Sequence, residues 1–290
     1  MTTLIHRLIN DIAQQLRTCC YSDDAAYHEA WWILESITGK TKAWLLVQAN
    51  YTLTDEQQKT LQEWVHARVT DQKPLQYLIG NVPFCGLNIQ VEPPLLIPRP
   101  ETEEWVSWLI ERLKPLGNKS ITLLDIGTGT GCIALALAAA LPQATVVGVD
   151  INPQAIALAE VNKKNNALTN VVFSQSDLFA ALAPGKTFDF IVSNPPYVTR
   201  EEYNKLVPSV KQWEDVMALV GGDSGLVFYE RIAQQAAVHL KEQKYNLPSV
   251  VVELGNDPYA VKTLFEKNGF REVQIYKDMQ GVDRWLACYR

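Results

Sequence analysis

The rhythm of apolar and polar positions changes twice along this chain. From residue 3 to 80 the period is helical. Leu4, Leu8, Ile12 and Leu16 recur at four-residue steps, and Tyr27, Trp31, Leu34 and Ile37 make a second apolar face. Ser22 is placed to cap that second helix and Gly39 to end it, with Asp23 and Asp24 in the first turn, where acidic groups suit the helix dipole. Thr54 and Gln57 form a capping-box pair ahead of Leu61, Trp64, Val65 and Arg68. The pattern predicts a small domain of roughly four or five helices over residues 1–82. Trp31, Trp32, Trp44 and Trp64 are expected in its core, and it carries no catalytic constellation of its own.

Between Pro83 and Pro100 a helix interior is excluded: FCGLNIQVEPPLLIPRPETE alternates and holds Gly86 and four prolines. Residues 83–100 therefore read as a stiff β-hairpin linker. Arg99, Glu101 and Glu103 stand at its end, beside a helix expected from Thr102 to Leu113. Arg99 and Glu101 are candidate substrate contacts; the other reading is that these charges only cap the helix.

Over residues 101–290 strand and helix alternate. The expected strands are Ile121–Ile126, Ala144–Val149, Val171–Ser174, Phe188–Ser193, Ser249–Leu254, Val273–Lys277 and Trp285–Tyr289. Helices are expected near 131–140, 153–166, 223–242 and 257–268. This alternation predicts an α/β fold with a parallel sheet and helices on both faces. The last two strands lack a helix between them, so one should run antiparallel to the rest.

Chemistry-bearing residues sit where successive strands end. LLDIGTGTGCIALALA places Asp125, Gly127, Thr128, Gly129, Thr130 and Gly131 between the first strand and a helix. Glycine there permits a tight turn and close approach of a ligand to the backbone. Asp150 ends the second strand, where a carboxylate can take both hydroxyls of a ribose. A dinucleotide fingerprint needs glycine at its first, third and sixth positions; Cys132 occupies the sixth, which weighs against NAD. S-adenosyl-L-methionine, with a ribose and an adenine but no pyrophosphate, fits better. Asp125 is then placed to help hold the ammonium. Asp177, after the third strand, is placed to accept from the adenine amino group, with Leu178 and Phe179 flanking the ring.

After the fourth strand, in FDFIVSNPPYV, come Asn194, Pro195, Pro196 and Tyr197. Two prolines cannot continue a ladder, and each holds its predecessor extended, so the loop is stiff. The Asn194 side-chain oxygen and the Pro195 carbonyl can each accept one hydrogen of a flat –NH2 group, while Tyr197 can stack on its plane. Drawing both hydrogens aside frees the nitrogen lone pair for an electrophile. The bland alternative is a strand stop with Tyr197 packed on it.

Composition narrows the target. The 290 residues carry a formal net charge of −6 and no dense Lys/Arg cluster, which favours a protein or small-molecule substrate over nucleic acid. No apolar run is long enough to span a membrane, and charge enters the first residues too early for a signal peptide. Cys19, Cys20, Cys85, Cys132 and Cys288 form no CxxC pair and suit free thiols in a reducing cytoplasm. His6, His28, His66 and His239 are scattered, so no metal site is expected.

PLQYLIG at Pro74–Gly80, LLIPRPETE at Leu95–Glu103, DIGTGTGCIALALA at Asp125–Ala138, SNPPYV at Ser193–Val198 and GVDRW at Gly281–Trp285 together resemble one family, the protein-(glutamine-N5) methyltransferases that modify peptide chain release factors. The resemblance implies a seven-stranded Rossmann-like methyltransferase sheet over residues 101–290, preceded by a small helical substrate-docking domain. It implies S-adenosyl-L-methionine as cofactor and, as substrate, the glutamine of a Gly-Gly-Gln loop. It also implies that Gly127 to Gly131, Asp150, Leu178 and Asn194 contact the cofactor while Asn194 to Tyr197 hold the glutamine amide. Two stretches depart from the family: Asn256 to Tyr259, where a glutamine commonly follows the glycine, and Asp215, where proline is common. The competing class is a nucleic-acid amino methyltransferase acting on adenine N6 or guanine N2, since both offer a planar –NH2; a non-catalytic cofactor-binding protein is the third.

Overall fold

The computed structural model describes residues 4–20, 22–48, 50–242 and 244–290. The chain divides into two compact units, Met1–Gly80 with Val207–Trp213, and Asn81–Leu206 with Glu214–Arg290. The division falls two residues before the expected boundary at 82, and the segment 207–213 joins the helical unit.

In the helical unit, α1 (Leu4–Leu16), α2 (Asp23–Thr38), α3 (Lys42–Val47), α4 (Asp55–Thr70) and α5 (Leu75–Ile79) follow in order. The predicted caps are in place: Ser22 accepts from Ala25 N, Gly39 closes α2 at φ 64°, and Thr54 and Gln57 make a reciprocal box. The apolar face of α1 is a correction. Ile5, Ile9, Ile12 and Leu16 are buried, whereas Leu4 is exposed and Leu8 half-buried. A strict four-residue stripe drifts around a helix of 3.6 residues per turn, and one three-residue step keeps Ile5 to Leu16 on one side. Trp31 is core as expected and Trp32 and Trp64 pack against it, but Trp44 is 39 % exposed. Trp44 lies on a six-residue helix whose buried side is taken by Leu45. Arg68 is buried with its guanidinium on Glu29, at 2.8 and 3.0 Å.

The second unit opens with a hairpin of β1 (Asn81–Phe84) and β2 (Leu87–Gln90), joined through Cys85 and Gly86 at φ 48° and 79°. Positive φ at both central residues matches the twist of the flanking strands. The hairpin begins two residues earlier than predicted and is followed by an irregular run to α6 (Pro100–Leu113), whose first residue is the proline. Asn162 binds this hairpin to the glycine loop, donating to both Gln90 O and Thr130 O and accepting from Gln90 N.

The remaining elements of the chain, of which α10 belongs to the helical unit, are β3 (Thr122–Ile126), α7 (Cys132–Ala140), β4 (Thr145–Asp150), α8 (Pro153–Asn165), β5 (Val171–Gln175), β6 (Phe190–Ser193), α9 (Arg200–Lys205), α10 (Pro208–Lys211), α11 (Val216–Leu219), α12 (Val227–His239), β7 (Val250–Glu253), α13 (Pro258–Lys267), β8 (Glu272–Lys277) and β9 (Asp283–Tyr289). The seven-stranded sheet has the order β5-β4-β3-β6-β7-β9-β8. β9 is antiparallel to both neighbours, and the pairs from β5 to β7 are parallel. The predicted seven strands and the antiparallel exception are therefore present. β6 and β7 are buried along their whole length, as parallel strands covered on both faces must be. Phe188 falls outside β6 and bridges Leu240 instead. After β3 the chain runs outward to β4 and β5, then returns to place β6 on the other side of β3. Ligands of open α/β sheets bind at such a reversal.

Candidate active site

A cavity of about 300 Å³ lies at the carboxyl ends of β3, β4 and β6. Gly127 and Gly129 form one wall, at φ 70° and 54°. A Cβ on Gly129 would meet no atom within 4 Å, so a side chain there would stand in ligand space. The loop is pinned from beneath: Gly127 N and Thr128 N both donate to Val149 O, at 2.8 and 2.9 Å. Thr128, Thr130 and Gly131 do not reach the cavity. Thr128 Oγ1 donates to Asp125 Oδ2 at 2.6 Å, and Thr130 is buried. Gly131 is needed for helix packing, since a Cβ there would come within 3.0 Å of Ala159.

Asp125 does not line the cavity, and its expected place beside an ammonium is corrected. Its carboxyl is fully buried and holds the loop, accepting from Thr128 and from Ala134 N. Burial pushes it up to about 7, against the pull of those two hydrogen bonds. Asp150 does face the cavity. Its Oδ2 accepts from Gly129 N and its Oδ1 from Asn152 N, each at 2.9 Å, which leaves further lone pairs on both oxygens. Burial raises this carboxyl while the two N–H groups lower it.

Asp177 and Leu178 both line the cavity. Asp177 Oδ2 is held by Arg231 at 2.8 Å, and Leu178 takes φ 51°, which turns the chain sharply. Past that turn Phe179 enters the core and stacks on His239, with ring centroids 4.8 Å apart. It does not line this cavity, so its expected role is also corrected.

Asn194, Pro195 and Pro196 line the same cavity, and Tyr197 does not. Asn194 Nδ2 donates to Thr102 Oγ1 at 3.2 Å, and Thr102 Oγ1 donates to Glu253 Oε2 at 2.6 Å. Tyr197 lies against the backbone of Gly255, where a Cβ would come within 2.7 Å of its ring, and its hydroxyl is 3.4 Å from Glu253 Oε1. Burial pushes both the Tyr197 phenol and the Glu253 carboxyl up; the hydrogen bond from Thr102 counters the latter. The loop is braced outside by Val198, which exchanges hydrogen bonds with Leu219 and Gly221.

Arg99 and Glu101 are not among the cavity residues. One terminal nitrogen of Arg99 reaches both oxygens of Glu214 at 2.6 Å, and the Glu214 carboxylate is buried. Beside it, Asp215 caps α11, accepts from Asn152 and lines the cavity. Asn256, the other departure from the family pattern, donates to Glu202. Thr102 and Glu253 were not singled out in the sequence as site residues, and Asp215 was noted only as a departure from the family pattern. Thr102 stood inside IPRPETE, and Glu253 looked like strand interior. Among the described residues no cluster of metal-ligand side chains exists, all five cysteines are free, and no helix is long and apolar enough to cross a membrane.

The donor set suits S-adenosyl-L-methionine. Asp150 presents a carboxylate with lone pairs to spare, Gly127 and Gly129 leave a bare backbone wall, and Asp177 with Leu178 adds one acceptor and one apolar side chain to the lining.

Residues 106–213 match the model of the methyltransferase small domain, and residues 7–80 that of the PrmC N-terminal domain. The release factor glutamine methyltransferase of Thermodesulfovibrio yellowstonii is 38 % identical, with 84 % of this chain and 86 % of that protein covered. Its counterpart from Bacteroides thetaiotaomicron is 40 % identical, with 77 % and 78 % covered. The hMettl16 catalytic domain, solved in complex with the MAT2A 3'UTR hairpin 6, superposes with a TM-score of 0.54 at 20 % identity, covering 81 % of each chain, and shares the fold. The cavity, the sheet and the two family matches converge: the chain belongs to the release factor glutamine methyltransferase family.

Proposed function

We propose that this enzyme transfers a methyl group from S-adenosyl-L-methionine to the side-chain amide nitrogen of the glutamine in the Gly-Gly-Gln loop of peptide chain release factors. The observation that carries the reading is Asn194. Its NH2 is held by Thr102, and among the described residues no donor bonds to its Oδ1. Bound, S-adenosyl-L-methionine supplies an electrophilic methyl group on a sulfonium. Gly127 and Gly129 give it room, Asp150 takes its ribose, and Asp177 and Leu178 take its adenine.

A carboxamide nitrogen is a poor nucleophile because its lone pair is delocalised into the carbonyl. Asn194 Oδ1 and the Pro195 carbonyl accept the two amide hydrogens, hold the nitrogen in place and favour the positive charge that develops on it. Positioning and preorganised polarisation are the largest generic terms open to an enzyme. N-alkylation makes the nitrogen acidic, so its proton leaves to water and no strong base is required. Tyr197 serves by bracing the loop from behind. The helical unit, rich in aromatic residues and without catalytic groups, docks the release factor, and the reaction belongs to the cytoplasm.

The acidic balance of the chain, −6 overall, favours a protein over nucleic acid as partner. The test is transfer of label from methyl-labelled cofactor to purified release factor. Label is expected on the Gly-Gly-Gln peptide and absent from a Gly-Gly-Ala variant. Equal labelling of the variant, or labelling of RNA or DNA in its place, overturns the reading.

A further inference from the structure

The hydrogen bonds behind Asn194 run one way. Trp105 Nε1 can only donate, and it reaches Glu253 Oε2 at 2.9 Å, so that oxygen is an acceptor. Thr102 Oγ1 donates its single proton to the same oxygen of the carboxylate at 2.6 Å. The hydroxyl is left with lone pairs alone, so the arm of Asn194 facing it at 3.2 Å must be the NH2. Oδ1 is then the arm turned away from Thr102. Shape does not make this choice: the two arms of a primary amide are nearly isosteric, and only their partners tell them apart. Thr102 and Glu253 are both buried, and neither lines the cavity. Glu253 ends β7, the strand paired with β6, and its other oxygen faces the Tyr197 hydroxyl. One carboxylate thus addresses the first and last residues of the Asn-Pro-Pro-Tyr tetrad.

We infer that Thr102, fixed by Glu253, is a positioning residue that orients the Asn194 amide so that an acceptor meets the substrate –NH2. A flipped Asn194 would set donor against donor at the reacting nitrogen. The inference rests on the gripping role of Asn194 given under Proposed function, and it adds the device that makes this asparagine an acceptor.

Thr102→Val keeps the shape and removes the hydroxyl; Thr102→Ala removes it with no added methyl and serves where the valine variant does not fold. Thr102→Ser restores the hydroxyl. Single-turnover and steady-state methyl transfer are measured on the full chain, with cofactor affinity by calorimetry as the check on folding. Loss of the hydroxyl should lower kcat about 10- to 100-fold, the scale of a misplaced reacting group. KM for release factor and cofactor affinity should stay within about threefold, and the serine variant should recover kcat to within about threefold. In an Asn194→Ala background the same substitution should cost less than about threefold more, because Thr102 acts through that amide. A further 10-fold loss in that background, or an unaffected kcat for the single variant while Asn194→Ala is impaired, overturns the inference alone. Full activity in both single variants overturns the gripping role itself.

Discussion

Asp150 Oδ2 accepts the backbone N–H of Gly129 at 2.9 Å, so the residue that ends β4 holds the loop that follows β3. The same carboxylate faces the cavity and has lone pairs left for ribose hydroxyls. One side chain therefore shapes the glycine wall and presents a carboxylate to the cavity beside it. Asp150→Ala should lose two charge-assisted hydrogen bonds of about 1.5–3 kcal/mol each to the ligand, partly offset by water. Affinity for S-adenosyl-L-methionine should fall on the order of tenfold to several hundredfold. Asp150→Asn should fall nearly as far, because its NH2 must face either Gly129 N–H or Asn152 N–H, donor against donor. Unchanged affinity of both variants by calorimetry would remove Asp150 as the ribose partner.

Asn194→Ala separates catalysis from binding. Positive charge on the attacking nitrogen exists only at the transition state, so an acceptor there acts on kcat. By analogy with loss of one preorganised oxyanion donor, turnover should drop roughly 10²–10³-fold, with a much smaller change in cofactor affinity. Asn194→Asp keeps an acceptor but has no NH2 for Thr102 and sets a charge in the cavity. It should retain more activity than alanine, well below wild type. Turnover of the alanine variant within about threefold of wild type would leave the tetrad as a strand stop.

The parts of the fold that were legible are those with long periods or local capping chemistry. The α2 and α4 caps, the seven strands and the antiparallel β9 follow from side-chain alternation and from side chains that reach only three or four residues. The short helices α9, α10 and α11 were not legible, because four to six residues are too few to establish a 3.6-residue period. The site divides in the same way. Gly127, Gly129, Asp150, Leu178 and Asn194 were legible as strand-end residues, and all reach the cavity. Thr128 and Thr130 share their motif yet are buried, since a loop of alternating direction presents only every second residue, and Gly131 caps α7 and packs against Ala159. Thr102 meets Asn194 across a separation of 92 residues and Glu253 meets Thr102 across 151, and nothing local to either announces the contact.

Arg99 was expected to touch substrate and instead neutralises a buried carboxylate. The two readings make opposite predictions. Glu214 is buried while the Arg99 side chain is 33 % exposed, so removing the guanidinium leaves a buried charge that water can partly reach, and Arg99→Ala should cost about 1–3 kcal/mol of stability. Part of that should return in the double variant Arg99→Ala/Glu214→Gln, which removes the orphaned charge as well. Urea unfolding measures both. An Arg99→Ala protein of wild-type stability with a raised KM for release factor would restore the substrate-binding role.

Asp125 should write itself into the pH dependence of folding. Its carboxyl titrates near 7 in the folded protein, against an ordinary value of 3.8, because burial disfavours the charge. Between those values the native state holds a proton that the unfolded chain has released. Stability must therefore fall as pH rises from about 4 to about 7, and level off above. Asp150, Glu214 and Glu253 are also raised by burial and slope the same way; Asp189 and Glu202 are lowered and act in the opposite sense, at the acid end. The wild-type curve thus mixes several groups, and the comparison with Asp125→Asn isolates one. Asparagine keeps a carbonyl for Thr128 Oγ1 and Ala134 N, and its NH2 falls where Oδ1 already lacks a partner. A buried NH2 without an acceptor shifts the whole curve down by a constant, but the variant has no charge to develop. Relative to wild type it should gain about 1–3 kcal/mol between pH 5 and pH 8, read from urea unfolding of the ligand-free protein at several pH values. Parallel curves for the two proteins across that window would mean that Asp125 is ionised throughout it, despite its burial.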